Sequence, residues 1–350
     1  MKIISFNKSD SDSFFKYELD GIEETIDYNP PASEIDEKVD INEYSVELLI
    51  NPILNGQSHI FALNQKIADQ KKKIGYVFPI SALDNDQTQS KEIANYFYVA
   101  FYVLLSRLKD VKEGDFSDNF EGNVCVSVIN KKLACSDNPL PLCIHSLRKF
   151  CYSYFTPENH IQPIKGYTKD RLLDNPNQKT IYVDLSIPQL YSHPMIDRIM
   201  RDLVNANNVT HRFVLLYQVI EFLMEDAIIK DIEDIYDKLS AHDITPSDYF
   251  EDVSHVSKER TRIKNIFNEC NVLSSTEFAS FRTACRLLLR KAGFSKDANS
   301  DNHELFYAFR NKMTHSYRRL YVHEQELVEV VQYFERIVMQ IVGAYPRAIM

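Results

Sequence analysis

The sequence predicts an α+β protein: a mixed N-terminal α/β domain with a small sheet, followed by an all-α helical bundle. The first half carries short runs of β-branched and aromatic residues between polar turns, a pattern typical of strands. The second half carries long stretches with apolar residues at helical spacing. Pro188 and Pro194 stand where the pattern changes, and 350 residues suit two domains. We therefore predict one domain at residues 1–188 and another at 189–350.

The N-terminal domain is predicted to combine several strands with one long helix. The helix spans residues 89–111, where apolar residues such as Phe97, Phe101 and Leu104 recur at helical spacing. Residues 138–143 should form a turn or an edge strand, and residues 147–155 a short helix or strand. Loops are predicted at 20–43 and 156–179. The predicted strands are 3–6, 14–19, 44–50, 59–63, 74–80, 123–129 and 180–185.

The C-terminal domain is predicted to be helical, with an inserted loop at residues 240–257. Thr210 is a suitable N-cap for a helix that runs to about residue 239. Gly293 is a suitable C-cap residue, and Asp301 or Asn302 precedes a helix that begins near residue 304. The predicted helices are 195–205, 211–239, 257–268, 276–292, 304–320 and 323–344.

Composition predicts a cytoplasmic protein with reduced thiols. No run of 18 apolar residues exists, and the apolar start of the chain is shorter than a signal peptide requires. None of the six cysteines forms a CxxC pair, although four fall within residues 125–151. A zinc site there is one interpretation, and buried free thiols are the favoured one. We predict neither a metal site nor a cofactor.

The charge is distributed unevenly along the chain. A net charge of −10 argues against a protein that coats nucleic acid indiscriminately. Residues 258–319 nevertheless hold thirteen Lys or Arg against six Asp or Glu. This local positive charge suits a phosphodiester substrate. The alternative is that Arg282, Arg286 and Arg290, spaced one turn apart, form one solvated helix face.

One stretch, residues 306–320 (FYAFRNKMTHSYRRL), carries a candidate catalytic set. Asn311 and His315 lie one turn apart on one helix face, whereas Arg310 and His315 lie about 140° apart. Arg310 and His315 could still meet one ligand if the helix lies against a second copy of itself. Phosphate-binding glycine loops and the HExxH, GxSxG and HxE…CxxC motifs are absent from the sequence.

Arginine, asparagine and histidine together suit RNA cleavage without a metal. The 2′-hydroxyl attacks the adjacent phosphorus, and the reaction needs a proton acceptor, a proton donor and positive charge beside the phosphate oxygens. Histidine titrates near neutral pH and can fill either proton role. Arginine keeps its charge and can contact two phosphate oxygens. The asparagine could orient the histidine.

Arg310, Asn311 and His315 also resemble the motif of HEPN-domain proteins, an Arg followed by a polar residue and then a His. Tyr217 and Glu221, one turn apart within residues 211–228, resemble the first long helix of that family, and residues 323–344 resemble its closing helix. The resemblance covers residues 195–350. It implies an HEPN-like bundle, endoribonuclease activity and a homodimer formed through the motif helix. The predicted site residues are Arg310, Asn311 and His315 for catalysis and Lys312, Arg318, Arg319, Tyr217 and Glu221 for substrate binding.

The resemblance further implies a regulated toxin in antiviral defence by abortive infection. The N-terminal domain would then sense a phage or antitoxin trigger, with RNA as the substrate and no role for a membrane. One alternative is a catalytically silent HEPN-like module that binds a ligand or partner. Another is the toxin half of a pair with a nucleotidyltransferase antitoxin. In the plainest alternative, Arg310 pairs with a carboxylate, His315 caps a helix, Tyr217 is bundle packing and Glu221 is solvated.

Overall fold

The computed structural model confirms the α+β class. The chain divides into two compact units, Met1–Pro163 with Leu172–Ile187, and Ile164–Arg171 with Pro188–Met350. The structure describes residues 2–7, 13–30, 35–36, 38–53, 59–67, 70–84, 91–120, 124–155, 164, 167, 178–185, 190 and 193–346. The predicted loop at 156–179 and the predicted change of domain at residues 186–194 lie mostly outside them.

The strands of the first unit form two sheets. Their bounds are β1 Lys2–Asn7, β2 Phe14–Leu19, β3 Ile22–Asp27, β4 Tyr44–Ile50, β5 Phe61–Ile67, β6 Gln70–Pro79, β7 Val124–Asn130, β8 Ser153–Tyr154 and β9 Thr180–Val183. Strands β1, β2 and β3 make an antiparallel sheet in that order. The other sheet has the order β8-β4-β7-β6-β5-β9, and its pairs are antiparallel except β5 with β9.

Helices cover both faces of the larger sheet, which is why every residue of its β7 strand is buried. Helix α1, Lys91–Arg107, packs on one face and reaches both sheets. Its Phe97 ring lies 4.5 Å from that of Phe78 in β6, and its Phe101 ring stacks 5.1 Å from that of Phe15 in β2. Helix α2, Lys131–Ala134, follows β7, and helix α3, Leu140–Arg148, contributes Leu147 to a second core on the other face.

Two predictions for the first unit are wrong for identifiable reasons. Residues 20–43 contain strand β3, because Asp20 and Gly21 both take positive φ and form a two-residue hairpin turn. Of residues 138–143, the last four begin helix α3 instead of forming a turn or edge strand. Proline is tolerated in the first turn of a helix, where its missing N–H has no partner to lose.

The second unit is built from helices. Their bounds are α4 Pro194–Asn205, α5 Val209–Ser240, α6 Pro246–Val256, α7 Glu259–Glu269, α8 Thr276–Lys291, α9 Ser295–Ala298, α10 Asn302–His315, α11 Tyr317–Tyr321 and α12 Glu324–Ala344. Each helix that the structure describes, in either unit, is too short or too polar to cross a membrane.

The helical predictions hold with three corrections. The loop predicted at 240–257 contains α6, which begins with a capping box between Thr245 and Asp248. The N-cap of α5 is Asn208, not Thr210. The predicted motif helix is interrupted at Ser316, whose φ of −139° and ψ of 23° separate α10 from α11.

The core of the second unit holds the motif helix in place. Phe306 and Phe309 of α10 are fully buried against aromatic rings from other helices. The Phe306 ring lies 5.2 Å from Phe334 of α12, and the Phe309 ring lies 5.5 Å from Phe213 of α5. Burial of such rings dominates core energetics, so the orientation of α10 is fixed from its apolar side.

Candidate active site

The sequence of α10 determines which of its side chains reach solvent. Phe306, Phe309 and Met313 are buried on its core side. The motif residues lie at other positions around the helix, so Arg310 and Asn311 are half-buried and His315 is exposed. The motif therefore begins at the edge of the core and ends in solvent.

Arg310 lies among polar groups from two other helices. Its Nη2 is 3.4 Å from Glu259 Oε1 of α7 and 4.0 Å from Glu221 Oε1 of α5. Its guanidinium carbon lies 5.1 Å from the ring centroid of Tyr217, within cation–π range. Its Nη1 donates a 3.0 Å hydrogen bond to Asn311 Oδ1. The structure thus brings together Arg310, Asn311, Tyr217 and Glu221 of the predicted set.

Tyr217 and Glu259 form the inner part of this cluster. The Tyr217 hydroxyl donates a 2.5 Å hydrogen bond to Glu259 Oε1, the oxygen that also faces Arg310. Burial, and then the hydrogen bond to Glu259, raise the pKa of Tyr217 well above its usual value. The hydroxyl therefore stays protonated and remains a donor throughout the neutral range. Tyr217 is buried, as the bundle-packing alternative requires, but its hydroxyl is committed to the cluster.

Glu221 forms the outer part of the cluster. Burial raises its pKa, Arg310 opposes that shift, and Glu259 and Glu225 add to it. The Glu221 side chain is 48% exposed. It also lines an open groove of about 560 Å³ between α4 and α5, together with Gln218 and Glu225. Glu221 therefore connects the arginine cluster to solvent.

His315 does not join this cluster. It is the last residue of α10 and exposed, and it has no hydrogen-bond or ion-pair partner among the residues that the structure describes. Its position on the helix is about 140° from that of Arg310, as the spacing predicts. One chain therefore presents the arginine and the histidine in different directions.

The other predicted cations, Lys312, Arg318 and Arg319, differ in the partners that they have within the chain. Lys312 pairs with Asp297 at 3.1 Å and lies 4.5 Å from the Phe294 ring centroid. Arg319 lies 4.1 Å from the same ring centroid and donates a 2.7 Å hydrogen bond to the Ala292 carbonyl. Arg318 is exposed and has no hydrogen-bond or ion-pair partner within the described chain. Lys312 and Arg319 thus also fasten α10 and α11 to the segment after α8.

The arginines of α8 are partly structural. Arg286 donates to the Ser300 carbonyl at 3.1 Å, and Arg290 donates to Asn299 Oδ1 at 3.4 Å. They hold the segment that precedes α10. The solvated-face alternative therefore does not describe these two side chains fully.

The cysteines show no zinc-like arrangement in the described residues. Cys125, Cys143, Cys270 and Cys285 are buried and form no disulfide, whereas Cys135 is exposed. Burial raises the pKa of Cys125 and of Cys143 to about 12 in each case. Across the same residues, His, Cys, Asp and Glu side chains form no group of three or more that could hold a metal ion.

Sequence reasoning missed Glu259. It is an acidic residue at the start of a basic helix, and only the packing of α7 against α10 brings it to Arg310. No sequence spacing indicates that contact, since about fifty positions separate Glu259 from Arg310.

Comparison with protein families, with curated proteins and with solved structures gave no match to this chain. The interpretation of the cluster therefore depends on its own geometry and on the motif residues.

Proposed function

We propose that the C-terminal unit is a metal-independent endoribonuclease of the HEPN type. The observation that carries the proposal is the position of Arg310, which is half-buried, oriented by Tyr217 and Glu259, and on the same short helix as an exposed His315. An oriented arginine suits a phosphate group because its charge is permanent and its N–H groups form a planar fork. An exposed histidine suits proton transfer near neutral pH.

In the proposed reaction the 2′-oxygen attacks the adjacent phosphorus, and the bond from phosphorus to the 5′-oxygen breaks. One His315 imidazole accepts the 2′-hydroxyl proton. A protonated His315 of a second copy gives a proton to the departing 5′-oxygen. Arg310 contacts the nonbridging oxygens and stabilises the charge that develops on them. The products end in a 2′,3′-cyclic phosphate and a 5′-hydroxyl.

One observation favours a second candidate function. Glu259 and Glu221 already face Arg310, so an incoming phosphate must compete with two carboxylates for the guanidinium. A catalytically silent HEPN-like module, in which Arg310 serves only to join α10 to α5 and α7, accounts for those ion pairs. Cleavage assays separate the two candidates.

The biological role proposed with the nuclease is that of a regulated toxin in antiviral defence by abortive infection. The motivation is the motif resemblance together with the separate N-terminal unit. In this proposal the N-terminal unit restrains the nuclease until a phage or antitoxin trigger acts on it. Expression should slow bacterial growth, and His315→Ala should relieve that effect.

The decisive experiment is cleavage of single-stranded RNA by the purified full chain. Arg310→Ala and His315→Ala should each lower the rate by about a hundredfold or more, because each removes charge stabilisation or proton transfer. Helix content by circular dichroism should match wild type. His242→Ala, which removes an exposed histidine after α5, is the matched control and should cleave normally. Normal cleavage by His315→Ala contradicts the proposal.

The same assay tests the absence of a metal requirement. Activity should persist in excess chelator, and mass spectrometry of the products should show 2′,3′-cyclic phosphate ends. Activity that disappears in chelator and returns with Mg²⁺ or Mn²⁺ would require a different mechanism.

A further inference from the structure

Helices α7 and α10 pack against each other in opposite directions. Glu259 faces Arg310, and the Arg260 guanidinium carbon lies 4.8 Å from the ring centroid of Tyr307. Further along α7, Lys264 lies close enough to His303 of α10 for its charge to lower the pKa of the imidazole, in addition to the larger effect of burial. Later residues of α7 thus face earlier residues of α10. The two helices form one continuous ribbon that leads away from Arg310.

The outward side of this ribbon carries cations and an aromatic ring. On α10, His303, Tyr307 and Arg310 fall within about 60° of one another, so they share a stripe about 10 Å long. On α7, Arg260 and Lys264 are one turn apart, and both are exposed. We call the set Arg260, Lys264, His303 and Tyr307 the α7–α10 surface.

Two carboxylates lie near the α7–α10 surface. Glu259 is occupied by the Tyr217 hydroxyl and by Arg310. Glu304 is exposed beside His303. Burial lowers the pKa of His303, Glu304 opposes that shift, and Lys264 and Arg260 add to it. His303 therefore contributes a neutral imidazole at neutral pH, while Arg260 and Lys264 supply the positive charge.

We infer that the α7–α10 surface binds the single-stranded RNA that flanks the phosphate held by Arg310. Arg260 and Lys264 contact successive phosphates, and a base extends the stack of Arg260 on Tyr307. Proteins that bind single strands combine cations along the backbone with aromatic rings beneath the bases. The inference rests on the proposed function in taking RNA as the substrate, and it adds where the strand lies and which residues hold it.

Binding can be measured separately from cleavage. A fluorescein-labelled single-stranded RNA with 2′-methoxy groups lacks the attacking hydroxyl, so fluorescence anisotropy reports binding alone. The double variant Arg260→Gln with Lys264→Gln should bind at least tenfold more weakly. Its logarithmic salt dependence should also decrease, by about 0.7 per lost phosphate contact. The matched control, Arg198→Gln with Lys238→Gln, removes two exposed cations elsewhere in the same unit and should bind normally.

The aromatic contact needs its own variant. Tyr307→Leu should weaken binding about tenfold without changing the salt dependence, because it removes stacking and no charge. Tyr307→Trp keeps an aromatic face and should bind like wild type. Tyr236→Leu, at an exposed tyrosine of α5, is the control.

The outcomes separate the inference from the proposed function. If the surface variants bind the methoxy RNA as tightly as their controls, or if wild type does not bind it, the inference is wrong. If wild type binds it through these residues but does not cleave unmodified RNA, the inference stands and the nuclease proposal fails.

Discussion

The hydroxyl of Tyr217 donates a 2.5 Å hydrogen bond to the carboxylate of Glu259. The two residues belong to different helices, and the guanidinium of Arg310 meets both of them. Tyr217 offers the face of its ring, and Glu259 offers its charge. Each can therefore orient Arg310 without itself touching RNA.

Removing the Tyr217 hydroxyl should therefore weaken catalysis through Arg310. We expect Tyr217→Phe to lower kcat about tenfold and to leave KM close to wild type, because it loosens a positioning contact and removes no contact with substrate. The free energy of unfolding should fall by about 1 kcal/mol for the lost hydrogen bond. Steady-state cleavage over a range of RNA concentrations and urea unfolding measure the two effects. Tyr236→Phe, at an exposed tyrosine of the same helix, should change neither. Equal kcat for the two variants would contradict the positioning role.

Glu221 should make the stability of the protein depend on pH. Its pKa is raised in the folded state, so the native protein holds this proton more tightly than the unfolded chain does. The free energy of unfolding therefore falls as the pH rises from about 4.3, the ordinary pKa of glutamate, through the raised value. Glu221→Gln carries no such group and should be more stable than wild type at pH about 7.

The pH prediction is checked by urea unfolding at several pH values. The difference in stability between Glu221→Gln and wild type should shrink as the pH is lowered to about 3, where the wild-type carboxyl is protonated in both states. Glu233→Gln, at an exposed position further along α5, serves as the control and should track wild type. A difference between Glu221→Gln and wild type that is constant with pH would show that the carboxyl does not cause it.

The proposed nuclease should work as a homodimer. Arg310 and His315 point in different directions on one chain, and one histidine cannot serve as both proton acceptor and donor in a single step. A twofold contact between motif helices places two copies of each residue about one cleft. The exposed side chains of Tyr321 and Val322, which are 48% and 78% exposed, lie at the C-terminal end of α11 and suit such a contact.

Dilution tests the dimer. Specific activity should fall as the protein is diluted below its dissociation constant, and light scattering should show twice the chain mass at micromolar concentration. Adding excess His315→Ala to wild type should lower the activity per wild-type chain, because each mixed dimer carries one His315 and the proposed reaction uses two. A monomeric protein with constant specific activity would exclude the composite site.

The buried ion pair between Arg212 and Glu335 should be important for stability. Arg212 Nη2 lies 2.5 Å from Glu335 Oε1, and Arg212 also donates to the Leu203 and Ala206 carbonyls. Arg212→Met should lower the free energy of unfolding by about 3–5 kcal/mol, because it leaves the buried Glu335 carboxylate without its cation.

Two comparisons make the ion-pair prediction specific. The double variant Arg212→Met with Glu335→Leu should recover part of the loss, since neither charge then remains buried. Arg198→Met, which removes an exposed pair with Asp202, should cost less than about 1 kcal/mol. If Arg212→Met and Arg198→Met unfold at the same urea concentration, the buried pair does not contribute as predicted.

The sequence by itself determined the α+β class, the long helices and the motif. Apolar residues of α5, α8 and α12 recur with the helical period and so form one apolar face on each helix. Burial of this face stabilises each segment as a helix. The run of β-branched residues in β7 likewise indicates a buried strand. The spacing of Arg310 and His315 fixed their angular separation, because helix geometry is constant.

Tertiary structure alone decided what lies beside Arg310 and where the weaker elements form. Helix α6 buries none of its residues, and a capping box stabilises its N-terminus. No apolar periodicity in the sequence therefore predicts this helix. Glu259 meets Tyr217 and Arg310 only because α7 packs against α10, and the partners are far apart in the chain. Apolar periodicity identifies the face that a helix buries. It does not identify the helix that covers it, and that choice places the carboxylates around the arginine.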